Sequence, residues 1–256
     1  MVSRSKYLEK VISSLELLDC DQSRTNILCI VDGDDALYLR TRNLINDTKF
    51  NERLVVRAEV QEPTMQFDIP TRRRHIAAMH NQARALITHD RGYVFSVEDD
   101  TTFGSQTLNK LLRVANTERG FGYVEGVELG RWGVPYVGAW VADDIYNPMI
   151  INSIENVNPV PEGYPPTPID AGGLYCALIR ADLYKQHTFT CDNGLGPDIN
   201  FGIENRQLGF RNFILWQVPC IHHYEEMGKE KTITPSAESK VVTMIKENNT
   251  KWHVNY

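Results

Sequence analysis

Apolar and polar positions alternate in two rhythms through the first half of the chain. Leu8, Val11, Ile12, Leu15 and Leu18 recur at helical spacing, so an amphipathic helix is expected over 6–18. The unbroken apolar run "ILCIV" (Ile27–Val31) reads as a buried strand that stops on acids, and "ALYLRTRNLIND" returns to a helical pattern. A second short strand, "RLVVRAEV", leads into "QEPTMQFDIP", a loop by its prolines. The helix formers of "TRRRHIAAMHNQARALITHD" carry an apolar face of Ile76, Met79, Ala83, Leu86 and Ile87. The strand "YVFSV" and the helix "SQTLNKLLRVAN" complete a repeated strand–helix order, which predicts a mainly parallel sheet covered on both faces.

The second half is less regular. "GYVEGVEL" and "YVGAWVADD" have strand character, and "NPVPEGYPPTPIDAGG" is a long Pro/Gly loop. "LYCALIR" reads as a strand, "ADLYKQ" as a short helix, and "NFGIENRQLGF" as a helix ended by Gly209. "NFILWQVP" is the last strand expected, before "CIHHYEEMG", and "ESKVVTMIKENNTKW" reads as a C-terminal helix. No repeat, low-complexity tract or linker interrupts the chain, so one domain over 1–256 is expected.

Composition narrows the class. The hydrophobic share of 42% and charged share of 23% are those of an ordinary globular chain. A net charge of −6 argues against nucleic acid or an anionic membrane surface as partner. No apolar run reaches the roughly 18–20 residues of a membrane span, and "MVSRSKYLEK" lacks a signal-peptide core. Five cysteines without CxxC spacing fit reduced thiols in a cytoplasm rather than a zinc site.

The chemistry concentrates in two acidic clusters: Asp32, Asp34 and Asp35 after "ILCIV", and Glu98, Asp99 and Asp100 after "YVFSV". Adjacent carboxylates repel, and strand propensity gives no reason for them. Either they cap the helices that follow, or they bind something positive. In an α/β sheet the carboxyl ends of strands are where ligands bind. Two such clusters around one crevice suit Mg²⁺ or Mn²⁺ with substrate phosphates completing the shell.

"VDGDDALYL" taken alone resembles the opening of haloacid-dehalogenase-like phosphatases, with Asp32 as nucleophile and Asp34 as acid/base. That family's pattern wants Thr or Val two places beyond the second acid, and here the residue is Ala36.

"HIAAMHNQARALITHDRGYVFSVEDDTTFGSQTLNKLL" resembles the central motif of glycosyltransferases with the GT-A fold, in their family-2-like, DXD-type form. The likeness lies in Met79-His80-Asn81 on the helix, Glu98-Asp99-Asp100 as the DXD signature, and the Leu-rich helix after it. "IDAGGLYCALIRADLYKQHTF" and "LGPDINFGIENRQLGFRNFILWQVPCIHHY" extend it toward the C-terminus. The resemblance implies a Rossmann-like three-layer sandwich with a mostly parallel mixed sheet. Residues 1–115 would form its nucleotide-binding half and 116–256 its acceptor and catalytic half. It implies a hexosyltransferase that moves a sugar from a nucleotide-diphospho-sugar, UDP-linked by preference, to a hydroxyl acceptor with Mn²⁺ or Mg²⁺.

Site roles follow residue by residue from the same resemblance. Asp100 is the first metal ligand, Asp99 holds metal or ribose, and Glu98 acts through water or directly. His222 or His223 supplies a third ligand, with His223 favoured. Asp32 accepts the ring N–H of uracil, Asp34 or Asp35 meets the ribose, and Asn81 belongs to the donor site. Gly172 and Gly173 let backbone approach the donor sugar. Asp198 takes the proton of the attacking hydroxyl in an inverting reaction, the competing role being a helix N-cap. Arg72, Arg73 or Arg74 would face the diphosphate, and Trp132, Tyr136 and Trp140 border the acceptor.

One departure matters. Members of the family begin with a strand ending in Pro-Thr-x-Asn, and "MVSRSKYLEK" goes directly into the first helix. The expectation is that a later segment or another chain, including a second copy, fills that place. A GT-A relative that binds nucleotide or sugar without turnover is the corresponding non-enzyme reading.

Overall fold

A computed structural model describes residues 6–59, 69–129, 137–148, 151–154, 161, 163–191, 194–226 and 229–232. Helix α1 (Leu8–Glu16) buries Leu8, Val11 and Ile12, the stripe set by its spacing. β1 (Ile27–Val31) pairs in parallel with β2 (Arg53–Arg57), in register from Ile27 opposite Arg53 to Val31 opposite Arg57. Between them α2 (Asp35–Asn46) starts at Asp34, whose carboxylate accepts the Leu37 N–H at 2.8 Å. That bond satisfies one of the free donors of the first turn.

After α3 (Ile69–Leu86) come β3 (Tyr93–Val97), the two-residue β4 (Thr101–Thr102), α4 (Thr107–Thr117) and β5 (Phe121–Leu129). Short strands β6 (Ala139–Ala142), β7 (Ile151–Ser153), β8 (Thr167–Ile169) and β9 (Ala171–Gly172) precede β10 (Cys176–Arg180). Helices α5 (Ala181–Gln186) and α6 (Pro197–Gln207) lead to β11 (Arg211–Glu226) and β12 (Lys229–Thr232).

The main sheet runs β12-β11-β5-β10-β3, with β4 and β8 also bonded to β11. β11 is parallel to β5, and β10 is antiparallel to both β5 and β3. Three of these four long strands therefore share one direction, as expected for the mostly parallel sheet. One face packs on α4 through Leu108, Leu111 and Val114 against Val124, Leu178 and Phe213. The other packs Tyr123, Ile179 and Ile214 against Tyr184, Phe189 and Phe201. The result is a three-layer α/β/α sandwich. β7, β6 and β9 form a separate small sheet.

β1 bonds only to β2 and β3 only to β10, so no strand joins the other edge of either among the described residues. The expected filling of that place by a later segment is not met there. Helices bridge the two sheets instead. Leu8 and Ile12 pack on Val31, Leu37 and Ile45, while Leu15 and Leu18 reach Leu108, Leu111 and Phe95. On the opposite side Ile76 and Met79 cover Ile30 and Val56, and Ala77, Ala83 and Ile87 join the main core. The helix expected in "ESKVVTMIKENNTKW" lies outside the described residues.

β11 corrects the expected end of the last strand. Pro219 does not stop it, because it sits at a register shift between Leu215 and Pro219, where a missing N–H costs no regular ladder bond. "CIHHYEE" is therefore strand, and His222 and His223 fall on opposite faces of it.

Asn81 also departs from its expected role. Its Nδ2 donates to the Phe189 carbonyl at 2.9 Å and its Oδ1 accepts the Phe189 N–H at 3.0 Å, so both ends of the amide hold backbone. Beside it His80 is buried, stacks on Phe189 at 4.6 Å and shares a 2.8 Å hydrogen bond between Nδ1 and the Tyr184 hydroxyl. Burial pushes its pKa down to about 3.

Between that value and the unfolded histidine pKa of about 6.5, the unfolded chain binds a proton that the native protein refuses. Stability from His80 is complete above about pH 6.5 and is lost as pH falls toward 3. Urea unfolding of wild type and His80→Gln at pH 4, 5 and 6 should give a wild-type slope steeper by up to about 1.4 kcal/mol per pH unit. Parallel curves would mean that His80 protonates in the native state.

Candidate metal centre and donor site

The second acidic cluster forms a tight turn between β3 and β4. Its backbone is held at both ends: the Glu98 N–H donates to the Tyr175 carbonyl at 3.1 Å, and the His223 N–H to the Asp100 carbonyl at 2.7 Å. β4 pairs antiparallel with β11, setting Thr101 opposite His222. That register carries the His222 ring to the acids. Its Nε2 lies 2.9 Å from Asp100 Oδ1 and 3.8 Å from Glu98 Oε2.

Among the described residues, Glu98, Asp100 and His222 each offer a ligand atom, all within 4.8 Å of one another. Asp100 and His222 are buried and Glu98 is a third exposed, so the cluster reaches solvent at Glu98. Two carboxylate oxygens and one imidazole nitrogen suit Mn²⁺, which accepts both donor types, somewhat better than Mg²⁺. A divalent cation would also relieve the repulsion of the two carboxylates in a poorly hydrated place. These residues fit a metal ion.

The structure thus gives His222 the place expected for His223. Alternation along β11 is the reason: His223 points to the opposite face, where its Nε2 lies 2.9 Å from Thr102 Oγ1 and its ring stacks on Tyr7 at 4.9 Å. Asp99 is buried in the same turn but is not one of the three clustered ligands.

The first cluster divides its work. Asp32, at the end of β1, binds His75 of α3 with Oδ2 2.7 Å from Nε2. Asp34 is the α2 cap, and exposed Asp35 pairs with Arg57 at 2.6 Å. Arg73 donates to the Gly194 carbonyl and Arg74 to Thr71 Oγ1. Trp132 and Tyr136 lie outside the described residues, while Trp140 is half-buried on β6.

Asp198 stands in the first turn of α6, one residue after Pro197, with Gly196 in the N-cap position. It is therefore not the cap. Its carboxylate folds back over Gly196, since a Cβ built there would lie 2.3 Å from Asp198 Oδ1. The positive end of the helix favours an anion at this point. Asp198 Oδ2 lies 3.8 Å from the Cβ position of Gly173.

Gly172 has a reason other than a donor sugar to be small. A Cβ there would stand 2.1–2.3 Å from the carboxyl atoms of Glu125, which fill the space. Glu125, on β5, is fully buried, and among the described residues neither carboxyl oxygen has a hydrogen-bond partner. Burial, followed by the nearby charges of Asp198 and Glu128, pushes its pKa well above the carboxylate range. The first-half motifs did not point to it, or to Glu128 and His75. Two glutamates inside the otherwise apolar "GYVEGVEL" were the available signal for the β5 pair.

No protein-family model and no curated protein matches the sequence. Solved structures do match the fold. GalNAc-T7 with UDP, GalNAc and Mn²⁺ aligns with a TM-score of 0.61 at 13% identity, over 89% of this chain and 45% of that one. The mannosyltransferase PcManGT from Pyrobaculum calidifontis, with GDP-Man and Mn²⁺, gives 0.57 at 14% identity, over 86% and 54%. Residues 1–349 of S. aureus TarS with UDP give 0.53 at 14%, over 86% and 58%. The chain has the GT-A fold. It spans about half the length of these solved chains.

The raised pKa of Glu125 has a measurable consequence. Above about pH 4.5 the unfolded chain releases a proton that the native protein keeps, so Glu125 costs stability increasingly as pH rises. Glu125→Gln keeps the shape without that cost. Urea unfolding at pH 5, 6 and 7 should show the variant gaining on wild type by up to about 1.4 kcal/mol per pH unit. A constant difference across that range would mean that Glu125 is ionised in the fold.

Proposed function

We propose that the protein is a metal-dependent hexosyltransferase that moves a sugar from a UDP-sugar to a hydroxyl acceptor. The observation that carries this reading is the Glu98–Asp100–His222 cluster at the end of β3 in a GT-A fold. A nucleotide-sugar gives up a pyrophosphate-type leaving group, and Mn²⁺ held by these three side chains would neutralise the charge that develops on it. Asp32, fixed through Oδ2 by His75, would accept the uracil ring N–H with Oδ1.

Asp198 serves as the general base. The acceptor oxygen bonds to the anomeric carbon while its proton passes to Asp198, and the nucleoside diphosphate leaves with the electron pair of the broken glycosidic bond. Direct displacement inverts the anomeric centre. Burial and the nearby Asp198 and Glu128 raise the pKa of the neighbouring Glu125, which disfavours a second negative charge beside that base. Five free cysteines agree with a cytoplasmic setting. Less favoured is the phosphatase reading, in which Asp34 would be the acid/base, since its Oδ1 already accepts the Leu37 N–H as the α2 cap.

Thermal unfolding with UDP should rise only when Mn²⁺ is also present, and Asp100→Ala should abolish the shift. A metal-independent shift, or none, would sink the donor-site assignment. Asp198→Asn should keep the UDP–Mn²⁺ shift and lose transfer by about 10²–10⁴-fold, the usual worth of a general base. Near-normal turnover in that variant would remove Asp198 from the mechanism, and donor binding by wild type without transfer to any hydroxyl acceptor would favour a non-catalytic binder.

A further inference from the structure

The ring of His222 has carboxylates at both nitrogens. On the side away from Asp100 and Glu98, its Nδ1 lies 2.8 Å from Oε1 of Glu128. Glu128 sits near the end of the central strand β5 and is 1% exposed, where an ionised side chain is costly unless something answers its charge. The strand around it is held firmly. The Tyr175 hydroxyl accepts the Glu128 N–H at 2.9 Å and donates to the Gly126 carbonyl at 2.7 Å. A Cβ on Gly138, at φ +70, would stand 2.9 Å from the Tyr175 ring and hydroxyl and 3.2 Å from Glu128 Oε2, so a side chain there would crowd both.

A neutral imidazole has one N–H and one lone pair. A proton on Nδ1, facing Glu128, leaves the Nε2 lone pair facing Asp100 and Glu98. That is the tautomer a metal-binding histidine needs. The reverse tautomer would set a lone pair against the buried Glu128 carboxylate. Metal-ligating histidines generally pass their second N–H to such a partner, which fixes the ring and strengthens the donor nitrogen.

We propose that Glu128 is a positioning residue for the metal centre: through Nδ1 it sets the tautomer and orientation of His222 so that Nε2 faces the Glu98–Asp100 side. The inference rests on the metal-site reading above. It assigns to β5 a part in metal affinity that its place in the core hides.

The test is direct Mn²⁺ binding to the full chain without nucleotide, followed by electron paramagnetic resonance of the free ion. Circular dichroism checks that each variant is folded. Glu128→Ala should weaken binding about 10–100-fold, the usual effect of losing such a partner. Glu128→Gln keeps an acceptor oxygen for the Nδ1 proton and should lie between Ala and wild type. Because Glu128 acts through the ring, adding either change to His222→Ala should weaken binding no further. If Glu128→Ala does not fold, Glu128→Gln and its double variant decide the question.

Wild-type affinity in the Glu128 variants would overturn the proposal and leave the metal site standing. The same holds if the double variant loses the full Glu128 factor beyond His222→Ala. No Mn²⁺ binding by wild type would remove both readings together.

Discussion

The 2.7 Å bond from the His223 N–H to the Asp100 carbonyl ties the acidic turn to β11, and the site depends on that tie. It belongs to the two-residue pairing of β4 with β11, which fixes Thr101 opposite His222. A slip of one residue would turn His222 away and present His223 instead. The pairing is short, but β11 is anchored along β5 from Arg211 to Ile221, so its register is not set by β4 alone. A strand deep in the sheet thus sets its own histidine against the acidic turn. Ligands held this way are placed more firmly than ligands on a free loop.

The region also gathers more carboxylates than a protein interior tolerates without an answer to each. The answers differ. Burial raises the pKa of Glu125, favouring its protonated form, and Glu128 faces an imidazole. Asp198 lies on the first turn of α6, where the helix favours negative charge. Glu98 and Asp100 converge on the Nε2 side of His222, where a divalent cation would supply the missing positive charge. Burial alone treats Glu125 and Glu128 alike, since both are almost fully enclosed. What differs is the neighbour: Glu128 has the His222 ring at 2.8 Å, and Glu125 has Asp198 and Glu128 close by.

This division explains what could be read from the sequence. β1 and β3 were legible to the residue, because unbroken apolar runs ending on acids have few other readings. Glu98 and Asp100 were legible for the same reason. The choice between His222 and His223 was not, because it depends on whether β11 continues beyond Pro219. Proline ordinarily argues against a central strand, and only the register shift beside it resolves the conflict. Asn81 and Gly172 show another limit: amide-to-backbone bonds and a carboxyl pressed on a glycine are tertiary facts without a local pattern. Asp34 was read both as ligand and as cap, and the cap prevailed because the carboxylate is within reach of a free N–H on its own helix.

The division of the strands into two sheets bears on the proposed donor site. Asp32 ends a strand of the β1–β2 pair, whereas Glu98 and Asp100 follow a strand of the main sheet. A two-stranded sheet is marginal alone, so β1 and β2 depend on α1 and α3, whose side chains pack on both sheets. His75 adds a polar link from α3 to Asp32. A UDP-sugar whose base is held by Asp32 and whose diphosphate lies at the Glu98–Asp100–His222 cluster would touch both sheets at once. Its binding free energy would then stabilise their relative placement as well as hold the substrate.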